Sequence, residues 1–208
     1  MPDCRIVSNL HVTTPLEQRK MKRSTKVSGA LTIALLTMVV GSASPDERIK
    51  TRLIGYEETP LTINSPARGE FTATIEAGGT VIEYVLTYRD LSSPVLQAHI
   101  HFGRPAISGG IVLFLCTNLT PPAGVPAPPA CPNPPATIMG ALTAANVIAV
   151  PGQGIDAGAV GFAEMLKAIQ ADAAYVNVHT TNHPSGEIRG RLGDRDDDED
   201  RGQRRGQR

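Results

Sequence analysis

The sequence predicts an all-β domain, an antiparallel β-sandwich or Greek-key barrel with one short helix. Three observations predict it. Twenty glycines and seventeen prolines among 208 residues favour many turns and short strands over long helices. Several short runs alternate apolar and polar residues with period two, as half-buried strands do. Helical spacing stands out at one place, where Phe162, Met165, Leu166 and Ile169 recur on one face.

Residues 1–43 read as an N-terminal extension and a secretory signal. Lys20, Lys22, Arg23 and Lys26 supply the positive region, Val27 to Val40 the apolar stretch, and Gly41-Ser42-Ala43 the small residues of a cleavage site. A signal begins with its charged region, so Met21 is the natural start; a long leading region or an uncleaved anchor is the alternative. The apolar run falls short of the ~20 residues a membrane span needs, and no stable span is expected after cleavage.

Residues 44–68 form a charged, Pro-containing lead-in, expected to be loosely ordered or to add an edge strand. The domain proper is expected over 69–192. Glu70 to Glu76 alternates cleanly, Ala77 to Thr80 makes a turn, and Val81 to Tyr88 is a β-rich central strand. Val95 to Phe102 is the next strand, with Leu96, Ala98, Ile100 and Phe102 toward the core and Gln97, His99 and His101 on the other face. Ile111 to Leu115 is a continuous apolar run that fits a buried strand. A Pro-rich loop follows. Thr143 then caps a single turn through Val147, Gly152 to Gly161 is flexible, and Gly161 to Ala171 is the helix. From residue 193 a charged tail without apolar residues is expected to be disordered.

Ala173 to Leu192 closes the domain as a hairpin. Pairing His179 with Glu187 also pairs Asn177 with Arg189 and Val178 with Ile188. That register collects the apolar residues on one face and the polar ones on the other, and a slip of one residue destroys the match. Cross-strand pairs of this kind contribute about 0.2–1 kcal/mol each.

Cys116 and Cys131 remain after signal removal, an even pair that suits a disulfide in an oxidising compartment. Metal-binding thiolates are the alternative, but there is no CxxC, no third cysteine in the mature chain and no nearby histidine. Formal net charge is zero and aromatic content 4%, which excludes the basic, aromatic-laced surface of a nucleic-acid binder. Asn118-Leu119-Thr120 is a glycosylation sequon, meaningful in a eukaryotic secretory pathway.

From about Phe71 to Leu192 the chain resembles the CHRD domain family. The resemblance rests on Glu83-Tyr84, Leu86-Thr87-Tyr88, Ala98-His99-Ile100-His101-Phe102-Gly103 and Leu115-Cys116. It also rests on Tyr175 to Thr180 and on Pro184 to Gly190, the most specific segment. The family takes its name from repeats in chordin, a secreted antagonist that binds growth factors. The resemblance implies a secreted β-rich domain. It does not imply growth-factor binding, because chordin's cysteine-rich modules are missing.

Two groups of residues are candidate sites. Asn177, His179, Glu187 and Arg189 form a polar face for binding or for structure. His99 and His101 point the same way from one strand and, with His179, make a three-histidine set suited to zinc or copper, with Glu187 or Gln97 as supporting partners. A plain hydrogen-bonded histidine layer is the competing reading. An H-x-H strand in an exported β-sandwich is also similar to copper–zinc superoxide dismutase. That enzyme needs further His and Asp ligands from a loop, and Thr117 to Pro135 has neither. No GxSxG motif supports a hydrolase. The expected function is therefore a secreted or periplasmic non-enzymatic module for an extracellular protein or surface ligand. Metal binding is the alternative, and a metal-dependent redox enzyme the third class.

Overall fold

The computed structural model describes residues 45–193. The expected signal and charged tail lie outside the described residues. Eight strands form one antiparallel sheet: β1 (Glu47–Ile54), β2 (Arg68–Ile75), β3 (Val81–Arg89), β4 (Val95–Phe102), β5 (Gly110–Thr117), β6 (Ala136–Thr143), β7 (Ala174–Thr180) and β8 (Ile188–Leu192). The order β5-β4-β7-β8-β1-β2-β3-β6 curls into a nearly closed barrel, with one helix, α1 (Gly158–Gln170). The all-β expectation holds, as a single barrel-like sheet.

The interior is apolar and continuous. Leu53, Phe71, Leu86, Ile100, Val176 and Ile188 are buried in it. The two edge strands, β5 and β6, are tied where they approach. Tyr84 on β3 donates to the Leu115 carbonyl at 2.7 Å, Thr117 N–H donates to Pro129 O at 2.9 Å, and Cys116 is bonded to Cys131. These links shield edges that would otherwise offer unpaired backbone groups.

Two strands escaped the sequence reading. The lead-in is no loose edge. Its β1 lies inside the sheet, paired with β2 from Glu47↔Ile75 to Ile54↔Arg68 and with β8 at Ile54↔Arg189. Ile49, Thr51 and Leu53 point inward between exposed Arg48, Lys50 and Arg52, so the charges that suggested a lead-in are the outer half of an ordinary alternation. The other is β6, paired with β3 from Val81↔Thr143 to Tyr88↔Ala136. Its pattern is broken by Met139, which faces solvent, and by Gly140. A Cβ at Gly140 would stand 2.8 Å from the Tyr84 hydroxyl, so the glycine makes room for the ring that bridges to β5.

The disulfide and the Thr143 cap follow the sequence reading, Thr143 Oγ1 accepting from Ala145 N–H, whereas β3 is paired on both sides but lies next to the edge strand β6 with one face buried. The helix begins three residues earlier than expected. Within Gly152 to Gly161, a short turn at Pro151–Gln153 and a bridge between Val150 and Ile155 give regular structure. No helix among the described residues is long and apolar enough to cross a membrane.

Two expectations follow. A chain starting at residue 66 loses β1 and will show no cooperative thermal melt, whereas one starting at residue 45 will. Replacing Cys116 and Cys131 by alanine opens a loop of sequence separation 15. Because prolines already stiffen it, urea melts should show a loss of about 3 kcal/mol or less.

Candidate functional site

Both faces of β4, β7 and β8 are buried. Ala98, Ile100, Val176, Val178 and Ile188 face the barrel interior. The opposite face carries His99, His101, Tyr175, Asn177, His179 and Arg189, all below 8% exposed. Two segments roof this polar layer: residues 55–66, after β1, and the exposed loop 103–109, between β4 and β5. The polar face expected from the hairpin is thus real in register, with Asn177↔Arg189 and Val178↔Ile188, but it is not an accessible binding surface.

The expected His179–Glu187 pair does not form. Glu187 lies just before β8 and its side chain turns to the other side of the hairpin. It is fully buried and accepts from Ser65 Oγ (2.7 Å), Ser92 N–H (2.9 Å), Ser92 Oγ (2.9 Å) and Thr180 Oγ1 (2.7 Å). Burial pushes its pKa up, but these donors outweigh burial and hold the carboxyl below its ordinary range.

Asn177 and Arg189 are register neighbours with separate partners. Asn177 Nδ2 donates to Glu58 Oε1 at 2.6 Å and to Ile188 O at 3.1 Å. Arg189 donates to the Thr59 hydroxyl at 2.5 Å, to Ile107 O at 2.9 Å and to Arg104 O at 3.4 Å, so it latches both roof segments to the sheet. Its guanidinium lies 3.4 Å above the Tyr175 ring, and Tyr175 stacks on His101 with centroids 4.5 Å apart. Burial lifts Glu58 from 4.5 to about 7, against the opposing pull of Asn177 and Arg189. Glu58, Thr59 and Ser65 were missed by sequence reasoning. The one usable signal was that a buried Asn and Arg require partners, and these sit more than a hundred residues away.

The structure does bring the three histidines together. Ring centroids are 4.6 Å apart for His99–His101, 4.5 Å for His99–His179 and 6.2 Å for His101–His179. One nitrogen from each lies within 4.8 Å of the others. His101 Nδ1 contacts Gly109 O and His179 Nδ1 contacts Pro184 O, both at 2.9 Å. A carbonyl only accepts, so each Nδ1 carries the proton and each Nε2 a lone pair. Burial, first, and the neighbouring histidines keep His99 well below its usual pKa; burial lowers His101 to about 4 and also lowers His179. Neither Glu187 nor Gln97 supports the cluster, since no hydrogen bond joins either to a histidine. The carbonyls of Gly109 and Pro184 do so instead. A Cβ at Gly109 would stand 1.7 Å from Phe102 O, so only glycine brings that carbonyl this close. His183 stays in the hairpin turn, its N–H bonded to Thr180 O.

Glu58 gives a pH signature of unusual sign for a carboxyl. Its folded pKa lies above its unfolded one, so its protonated form is the stabilising one. That stability is complete below pH 4.5 and is lost as pH rises to about 7. Glu58→Gln mimics the protonated acid. Urea melts should show the variant more stable than wild type at pH 8, by at most about 3 kcal/mol, with the gap closing toward pH 4.5. A variant that is less stable at pH 8 would contradict this assignment.

Neither a comparison with curated proteins nor one with solved structures returns a match. The CHRD domain matches residues 49–192, from within β1 to the last residue of β8. The matched span covers the barrel except the first two residues of β1, and includes the hairpin and the H-x-H strand that shape the buried layer: the chain belongs to the CHRD domain family.

Proposed function

We propose that the protein is an exported, non-enzymatic recognition module that binds an acidic protein segment on the outer face of β1, β2 and β3. The observation that carries this reading is the cationic stripe on β1. Arg48, Lys50 and Arg52 project outward at alternate positions and are exposed. Arg68 and Arg89, paired across β2 and β3, extend the stripe. A groove of about 760 Å³ runs beside it, lined by Arg52, Arg68, Glu70, Thr87, Arg89 and Thr137.

Charge is left over on this face. Lys50 meets Glu70 at 3.1 Å and Arg89 meets Asp90, both exposed pairs that contribute little. Among the described residues, Arg48 and Arg52 have no carboxylate within ion-pair distance. Exposed Met139 flanks the stripe, and Arg and Met are enriched at protein interfaces. The basic leader, the apolar stretch behind it and the disulfide support an extracellular or periplasmic setting.

Fluorescence anisotropy with a labelled polyglutamate peptide tests the reading. Wild type should bind, more weakly as salt rises. Arg48→Glu/Arg52→Glu should lose at least about tenfold in affinity with an unchanged melting temperature. Equal binding by the variant would overturn the reading, as would a wild type that ignores the peptide and binds a sulfated polysaccharide.

A further inference from the structure

The three-histidine cluster is incompletely hydrogen-bonded by the chain. Of its six ring nitrogens, two are committed to backbone carbonyls. Both nitrogens of His99, His101 Nε2 and His179 Nε2 are buried without a hydrogen-bond partner. A buried polar nitrogen left unsatisfied is destabilising. One orphan from each of three rings lies at a common point, in a domain whose other buried polar side chains are mostly bonded.

Converging imidazole nitrogens are a metal-ligand arrangement. One ring nitrogen each from His99, His101 and His179 lies within 4.8 Å of the other two. Imidazoles bind metals through one nitrogen while the other donates to a carbonyl, which fixes ring orientation and tautomer. His101 and His179 already have that arrangement. Metal–nitrogen bonds of about 2.0–2.1 Å in trigonal coordination place ligand nitrogens about 3.6 Å apart. The spacing here, up to 4.8 Å, closes to that with ring movements of about 1 Å. All three rings are buried, so a bound ion would be shielded from solvent.

We propose that His99, His101 and His179 form a three-imidazole centre for monovalent copper, beneath the roof loop 103–109. Two features favour copper(I) over zinc(II). Structural zinc takes four ligands, and catalytic zinc keeps water as its fourth. Among the described residues the cluster holds three histidines and no fourth Cys, Asp or Glu ligand. Nor does a carboxylate stand against the cluster to offset a double charge. The nearest stacked charge is cationic: Arg189 lies on Tyr175, and Tyr175 lies on His101. A single positive charge with trigonal coordination suits a neutral, enclosed set of imidazoles. The metal would enter through the exposed loop 104–108, which Arg189 holds down through the carbonyls of Arg104 and Ile107. This site is separate from the basic outer face, so either proposal stands or falls without the other.

The test uses the full chain, stripped of metal and titrated without oxygen. Copper(I) is supplied in competition with a colorimetric copper(I) chelator, and zinc(II) is titrated separately. Wild type should take up one copper(I) per chain, with a raised melting temperature and nitrogen NMR shifts at the Nε2 atoms of His101 and His179. His101→Gln and His179→Gln should each weaken binding at least about a hundredfold. Phe114→Leu, which alters a ring packed on His99 and no ligand, should retain it. Folded wild type that binds neither ion would overturn the proposal, as would variants that keep stoichiometric copper. Zinc bound in preference to copper would overturn the copper assignment.

Discussion

The barrel's polar side depends on one carboxylate. Glu187 is fully buried and has four donors, drawn from the segment before β2, the β3–β4 turn and the end of β7. An ionised carboxylate without such partners would not tolerate burial. With them, it pins three segments distant in sequence at the mouth of one hairpin. The turn between β7 and β8 is thereby fixed, and with it the register that sets Asn177 opposite Arg189. That register in turn aims Arg189 at the roof and His179 at His99.

How much of this was legible in the sequence follows from locality. Hairpin register was legible because period-two alternation constrains a strand pair strongly once one face is apolar. The helix was legible because its apolar face repeats at 3.6 residues. β1 and β6 were not. In β1 the outward positions hold Arg and Lys, and charge obscured the alternation. In β6 a glycine and an exposed methionine interrupt it, for reasons that lie in other strands: Gly140 yields space to Tyr84 on β3.

The site divides the same way. His99, His101 and His179 were legible as a set, because two lie two apart on one strand and the third belongs to the hairpin. Their closeness depended on β4 pairing with β7, which the structure supplies through His99↔Asn177 and its neighbours. Glu58, Thr59 and Ser65 were not legible, since nothing local in residues 55–66 announces contact with residues 177, 189 and 187. Glu187 was misread for a subtler reason. Alternation assigns it to the His179 side, but it precedes the first residue of β8, and outside the ladder the backbone no longer dictates which face a side chain takes.

The buried layer therefore holds two kinds of polar group. Glu187, Asn177 and Arg189 have their hydrogen bonds met by the chain itself and act as fasteners. The histidines do not: two have one nitrogen met and one left bare, and the third has neither met. A fastener gains from complete satisfaction, whereas a ligand site requires incomplete satisfaction aimed at one point. The fasteners supply the rigidity that incompleteness needs. Arg189 closes the roof and stacks on Tyr175, Tyr175 stacks on His101, and the Tyr175 hydroxyl accepts from Gly109 N–H, beside the carbonyl that orients His101. His101 and His179 are thereby oriented through Nδ1, whereas His99 is placed by packing against both of them and Phe114. The surrounding hydrogen bonds thus leave Nε2 of His101 and of His179 unpaired beside His99, which is the incompleteness that the proposed copper centre requires.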